Sequence, residues 1–321
     1  MSSSTSSSKR VRRTATHLGC FGASLVAVAV VLFGASEALV RKQVNPQDEF
    51  ISHARLFHSA TSPHAAFGDS HVARGLVPVE GMVNLAYPSE GIEHIDWKVR
   101  RYFARRSPGR VVLQADPHLL APYRLVNRLG NYPAKINSAL NTAAWRPVTG
   151  EPRYRANLVN YWSSYIKQGG RLVSRIKVLD SGALLSPGDL SADDARLRTF
   201  SARKRIATHS IRPHPEVDRL MEVYRDLVDF LTHHGAEVCL VTFPLSPDYL
   251  SAAESRQSAS AKGQHERVMA FFADQARKTG VRHADLRRLT ADRSEFRDVD
   301  HLNGKAAKHY ARAILDACYS G

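Results

Sequence analysis

Three cysteines in 321 residues are too few for a disulfide framework or a Cys-rich metal site. Cys20 lies in an apolar run, Cys239 in an expected buried strand and Cys318 near the C-terminus. A Cys239–Cys318 bridge is allowed in an oxidising compartment, but nothing in the sequence requires it. Zinc-finger spacing, an aromatic RNP-like strand and a basic-leucine heptad are all missing, so no nucleic-acid partner is expected. None of the 15 histidines stands in HExxH or facial-triad spacing. His64, His94, His265, His283 and the His233-His234 pair read as surface or cap residues, and neither a metal nor a cofactor is expected. Carboxylates are scarce as well. Against 45 Lys and Arg there are 30 Asp and Glu, a formal charge of +15 that suits anionic lipid or an acidic polymer, or simply a solvated basic surface.

The N-terminus carries the clearest signal. A Ser-rich stretch with Lys9, Arg10, Arg12 and Arg13 reads as a polar tail over residues 1–17. Residues 18–36 then run without a charge, and at about 1.5 Å per residue they just span a hydrocarbon core of roughly 30 Å. We read residues 18–40 as a transmembrane signal-anchor. The basic cluster outweighs Arg41-Lys42, so the positive-inside rule puts the tail in the cytoplasm and the rest of the chain outside. A cleaved signal peptide is the competing reading, with Ala35 and Ala38 near a potential cut.

Beyond a polar linker over 41–60, short apolar runs alternate with amphipathic stretches, the rhythm of an α/β domain. Strands are expected over 64–70, 81–89, 110–116, 236–244 and 281–286, and helices over 91–106, 215–234, 263–279 and 303–317. VVLQ and VCLVTF are continuous apolar runs, as in a parallel sheet covered on both faces. The 119–214 segment is too long for an ordinary crossover and reads as a helical insertion or cap.

Two short motifs carry chemistry. Phe67-Gly68-Asp69-Ser70-His71 falls where the first strand ends and a helix begins, so the Ser70 hydroxyl would stand beside free backbone N–H groups. Asp298-Val299-Asp300-His301 precedes the last helix, with Asn303 as its N-cap. A hydroxyl nucleophile needs a base, and the base needs a carboxylate to fix its tautomer. His301 with Asp298 supplies both, and Asp300 is an alternative orienter.

The GDS and D-x-x-H pair resembles the first and last blocks of the SGNH, or GDSL-like, hydrolase superfamily, over about residues 61–321. The resemblance implies a three-layer α/β/α fold around a mainly parallel five-stranded, flavodoxin-like sheet, with Ser70 as nucleophile and His301 and Asp298 completing a triad. It also implies an oxyanion hole built from the Ser70 N–H, a second-block glycine and a third-block asparagine. Here the second block reads Asn84-Leu-Ala-Tyr-Pro-Ser89-Glu-Gly91, so Ser89 or Gly91 is expected to supply the second donor. The third block reads Ala115-Asp116-Pro117-His118, with no asparagine, which leaves His118 or Gln114 as substitutes. Asp69, His71 and Asn84 are expected in supporting roles.

GDSH with an N-terminal anchor is most similar to SGNH-like proteins of bacterial envelopes that pass acetyl groups to exported polysaccharide. This implies an inner-membrane protein with a periplasmic domain and a membrane-bound O-acyltransferase as partner. An esterase or lipase acting on simple acyl esters, and a catalytically silent scaffold, are the alternatives. An acidic acceptor would be held by arginines such as Arg124, Arg153 and Arg155.

Overall fold

The computed structural model describes residues 5–39, 49–79, 81–125, 129–140 and 177–320. The chain divides into two units, Met1–Asp48 with Thr142–Val173, and Glu49–Asn141 with Ser174–Gly321. The described part of the first is one helix, α1 (Thr5–Leu39). Within it His17–Ser36 has a mean hydropathy of 2.3 and no buried residue, which makes it long and apolar enough to cross a membrane. Helix α1 starts at Thr5, so most of the stretch expected as a polar tail is helical and continuous with the apolar run. Extending a nucleated helix costs far less than starting one.

The second unit is an α/β sandwich. Five strands, β1 (Ala65–Phe67), β2 (Val83–Asn84), β3 (Arg110–Gln114), β6 (Glu237–Thr242) and β7 (Arg282–Asp285), form one sheet in the order β2-β1-β3-β6-β7. Every pairing is parallel, with Ala66 opposite Val112, Val112 opposite Cys239 and Leu240 opposite His283. The apolar runs of β3 and β6 are buried on both faces, as central parallel strands must be. A short antiparallel hairpin, β4 (Lys177–Val178) and β5 (Leu184–Leu185), stands apart.

One face of the sheet is covered by α2 (Glu49–Ser59), α4 (Ile92–Phe103), α8 (Pro215–His233) and α10 (Ala259–Thr279), whose Phe57, Ile95, Val99, Tyr224, Leu227 and Phe272 form the larger core. The other is covered by α3 (Ser70–Gly75) and α11 (Gly304–Tyr319), through Val72, Leu76, Ile314 and Leu315. Burying each such side chain contributes about 1.5–3 kcal/mol. A disulfide joins Cys239 of β6 to Cys318 of α11, two residues 79 positions apart.

Two expectations change. The linker expected over 41–60 is helix from Glu49 onward, because Phe50, Ile51, Ala54 and Phe57 repeat at helical spacing and are buried. The expected 119–214 insertion comprises, among the described residues, α5 (Pro122–Leu125), α6 (Tyr132–Leu140), the β4–β5 hairpin and α7 (Ala195–His209). Helix α9 (Pro247–Arg256) packs with α7 beside the loop before α11, around Ile206, Tyr249, Val299 and Leu302. Arg153 and Arg155 lie outside the described residues.

Candidate functional site

Strand β1 lies between β2 and β3, so the chain direction across the sheet reverses there. In such folds the crevice at the carboxyl ends of the strands is the natural ligand site. Ser70 stands at that point, as the first residue of α3. The turn before it demands glycine, because a Cβ on Gly68 would sit 2.3 Å from Val72 Cγ2 and 2.5 Å from Gln114 Oε1. Asp69 caps α3 by accepting the His71 N–H, while the Ser70 N–H, in the first turn, has no intrahelical acceptor. Buried Asn84 holds the far end of α3, donating to the carbonyls of Val72 and Leu76 at 2.8 Å each.

The loop before α11 brings the base to the serine. A bridge between Phe296 and Leu302 closes this loop, and Asn303 caps α11 by accepting the N–H groups of Lys305 and Ala306. His301 Nε2 lies 2.9 Å from Ser70 Oγ, and His301 Nδ1 lies 2.8 Å from Asp298 Oδ1. With its proton on Nδ1 and donated to the carboxylate, the imidazole accepts the Ser70 O–H at Nε2. The same Asp298 oxygen accepts the N–H groups of Asp300 and His301. Burial alone raises the Asp298 pKa, but the charge and hydrogen bond of His301 hold the carboxyl far below its ordinary range.

Beneath this row lies a buried network of charged groups. Asp69 accepts from Arg124 and, at 3.0 Å, from His118 Nε2. Despite its burial, the Asp69 carboxyl is held well below the ordinary range by Arg124 and His118. The Gln114 amide bridges the Asp69 N–H and Asp116 Oδ2, at 2.6 and 2.7 Å. His71 lies between Asp116, 3.6 Å from Nδ1, and Asp300, 3.4 Å from Nε2. Burial alone lowers the His71 pKa, yet Asp300, Asp116 and Asp69 together raise it to about 9. Burial lifts Asp116 to about 6, so between these values His71 is a cation and Asp116 an anion. Asp300 also faces Arg205, at 3.0 Å, and His301 Nδ1, at 3.4 Å. His209 stacks between His118 and Tyr123, at 4.5 and 5.6 Å, and meets the Tyr249 hydroxyl at 3.0 Å.

Several expected roles change with these contacts. The Gln114 amide is engaged inside the network, its oxygen by the Asp69 N–H and one of its two N–H groups by Asp116. Burial brings His118 down to about 4, and the neutral ring offers its Nε2–H to Asp69, which removes it as an oxyanion donor. The Gly91 N–H donates to His94 Nδ1 at 3.3 Å as α4 begins. Ser89 adopts φ 71°, the left-handed region that few non-glycine residues enter, and turns the loop there. That loop meets the nucleophile turn through the Tyr87 N–H, which donates to the Gly68 carbonyl at 3.2 Å. Buried Lys98 braces it by pairing with Glu90, which also accepts from the Tyr132 hydroxyl. Arg124 is buried against Asp69.

Among the described residues two sets, His71-Asp116-His118 and His71-Asp300-His301, bring donor atoms close enough together to hold a metal ion. His71 belongs to both. Arg205, His209, Tyr123 and Tyr249 join the site with no motif in the sequence to announce them.

No family model matches this chain, and no curated protein matches it. Among solved structures it is similar to a candidate acylhydrolase from Bacteroides fragilis, at 10% identity and a TM-score of 0.39, over 83% of this chain and 93% of that one.

Proposed function

We propose that this protein is a serine-dependent acyl-ester enzyme in which Ser70 is the nucleophile, His301 the general base and acid, and Asp298 the residue that orients it. The observation that carries the reading is the row Asp298–His301–Ser70, with links of 2.8 and 2.9 Å, standing at the reversal point of a parallel sheet. As Ser70 Oγ bonds to the acyl carbon, its proton passes to His301 Nε2, and the carbonyl oxygen becomes an oxyanion beside the Ser70 N–H. The C–O bond to the alcohol then breaks, and the departing oxygen takes the proton from His301. Water or an acceptor hydroxyl next gives a proton to His301 and attacks the acyl-serine, which releases acid or a new ester and restores Ser70.

On this reading the finer assignment is O-acetyl transfer to an extracytoplasmic polysaccharide, with α1 as a single-pass anchor in a bacterial inner membrane and a membrane-bound O-acyltransferase as donor partner. The apolar run of α1 and the Cys239–Cys318 disulfide, a bond of oxidising compartments, both support an extracytoplasmic domain. Tethering raises the effective concentration of a donor delivered at the bilayer. The esterase reading shares the chemistry and differs only in using water as acceptor.

A serine-directed fluorophosphonate should label the full chain in detergent and leave Ser70→Ala unlabelled. No label on the parent protein would favour the silent scaffold. Acetyl ester appearing on added polysaccharide, above what free acetate release accounts for, would separate transfer from hydrolysis. A reporter fused after Gly321 should be active only outside the cytoplasm.

A further inference from the structure

Outside α1, the exposed large apolar side chains among the described residues are Leu197 and Phe200, and both stand on α7. They are three positions apart, so they share one face of the helix. At about 100° per residue, Arg203, Arg196, Ala207, Phe200, Lys204 and Leu197 fall in this order across a stripe about 120° wide. All six are exposed, whereas Ala202, Ile206 and His209 on the opposite side are buried. The helix contains five cations and no carboxylate. Two of the five are engaged elsewhere, Arg198 facing Asp248 and Arg205 facing Asp300, which leaves Arg196, Arg203 and Lys204 around the apolar pair. Asp193 and Asp194 precede the helix, where Asp194 caps it, and lie outside the stripe.

A solvated basic helix needs no leucine and phenylalanine side by side at its exposed centre, and a face packed within this chain would bury them. An apolar pair ringed by cations suits the boundary between acyl chains and anionic headgroups, where the rings and methyls enter and the guanidinium and ammonium groups stay at the phosphates. We infer that α7 is a second membrane contact, docking through Leu197 and Phe200 on a surface of anionic phospholipid. The inference takes α1 as the anchor that keeps such a surface within reach. The inward side of α7 carries Arg205 and His209 into the network beneath Ser70, so the docking helix is also a wall of the candidate site.

The test uses the full chain in vesicles, with one nitroxide on Phe200→Cys in a Cys20→Ser background; the other two cysteines form the disulfide. Collision with oxygen relative to an aqueous nickel complex reports depth. In mixed phosphatidylglycerol and phosphatidylcholine the Phe200 label should be oxygen-rich and nickel-poor, unlike a reference label on exposed Glu266→Cys. Each cation near an anionic surface is worth roughly fivefold in occupancy, so phosphatidylcholine alone, or Arg196→Gln with Arg203→Gln and Lys204→Gln, should lower the docked population on the order of a hundredfold. A Phe200 label as wet as the Glu266 label overturns the docking. So does one shielded from both reagents, which would mean a protein partner, and equal depth in the two lipids overturns the anionic preference. A label on Val28→Cys reads the anchor separately, so a wet Val28 with a deep Phe200 would remove the anchor and keep the docking.

Discussion

His71 is the residue through which the buried network can be weighed. It is almost fully buried, faces Asp116 at 3.6 Å and Asp300 at 3.4 Å, and its pKa rises from an ordinary 6.5 to about 9. A group whose folded pKa is raised contributes stability that is fully present below the unfolded value and is lost as pH climbs through the folded value. His71 therefore stabilises fully below about pH 6.5 and ceases to by about pH 9. At about 1.36 kcal/mol per pK unit the loss across that window is about 3 kcal/mol, which is about 2–4 °C in Tm for each kcal/mol in a domain of this size. Asp116, raised to about 6, works in the same direction lower down, since its ionisation costs stability as pH rises from about 4 to about 6. Thermal unfolding of the detergent-solubilised chain, followed by near-UV circular dichroism at pH 6 and pH 9, checks the effect. His71→Gln should be less stable than the parent at pH 6, and the difference should shrink by about 3 kcal/mol at pH 9. An unchanged difference between the two pH values would mean that His71 is neutral in the fold and that the charge network is misread.

Ser70→Ala and His301→Ala should each remove nearly all turnover of an aryl acetate, on the order of 10⁴-fold or more, with the double variant little worse because the pair acts as a unit. Parental turnover in Ser70→Ala would sink the mechanism whatever the fold. Gly68→Ala should cost about 1–3 kcal/mol in a denaturant titration and weaken fluorophosphonate labelling, since the added methyl must push Val72 or Gln114 aside. Parental stability and labelling would show that the turn has room to spare. Reducing the Cys239–Cys318 bond, which spans 79 positions, should lower stability by up to about 4.5 kcal/mol on the chain-entropy account, read as a drop in Tm on adding dithiothreitol. A Tm that does not move would mean that the packing of α11 on β6 suffices without the bond.

The α/β class, the positions of the five sheet strands, helices α4, α8, α10 and α11 and the apolar run of α1 were legible in the sequence. Each depends on local periodicity, which burial on one face or both imposes directly on the residue order. Ser70, Asp298 and His301 were legible as candidates for a related reason, since a nucleophile turn and a base-bearing loop are short segments at strand and helix ends. Helix α2 was missed because its apolar positions are diluted by Ser52, His53, Arg55 and His58. What only the tertiary structure decided is which polar groups meet. His71 and Asp300 are 229 positions apart, Asp69 and Arg124 55 apart, and neither pairing leaves a trace in local pattern. They meet because β1 lies beside β3 and the loop before α11 folds back over α3, so sheet order and helix placement bring together charges that the chain keeps far apart. The same convergence ties Gln114 to Asp69 and Asp116, and His118 and Arg124 to Asp69, because a buried donor is claimed by the nearest buried acceptor, and which acceptor is nearest depends on the packed fold.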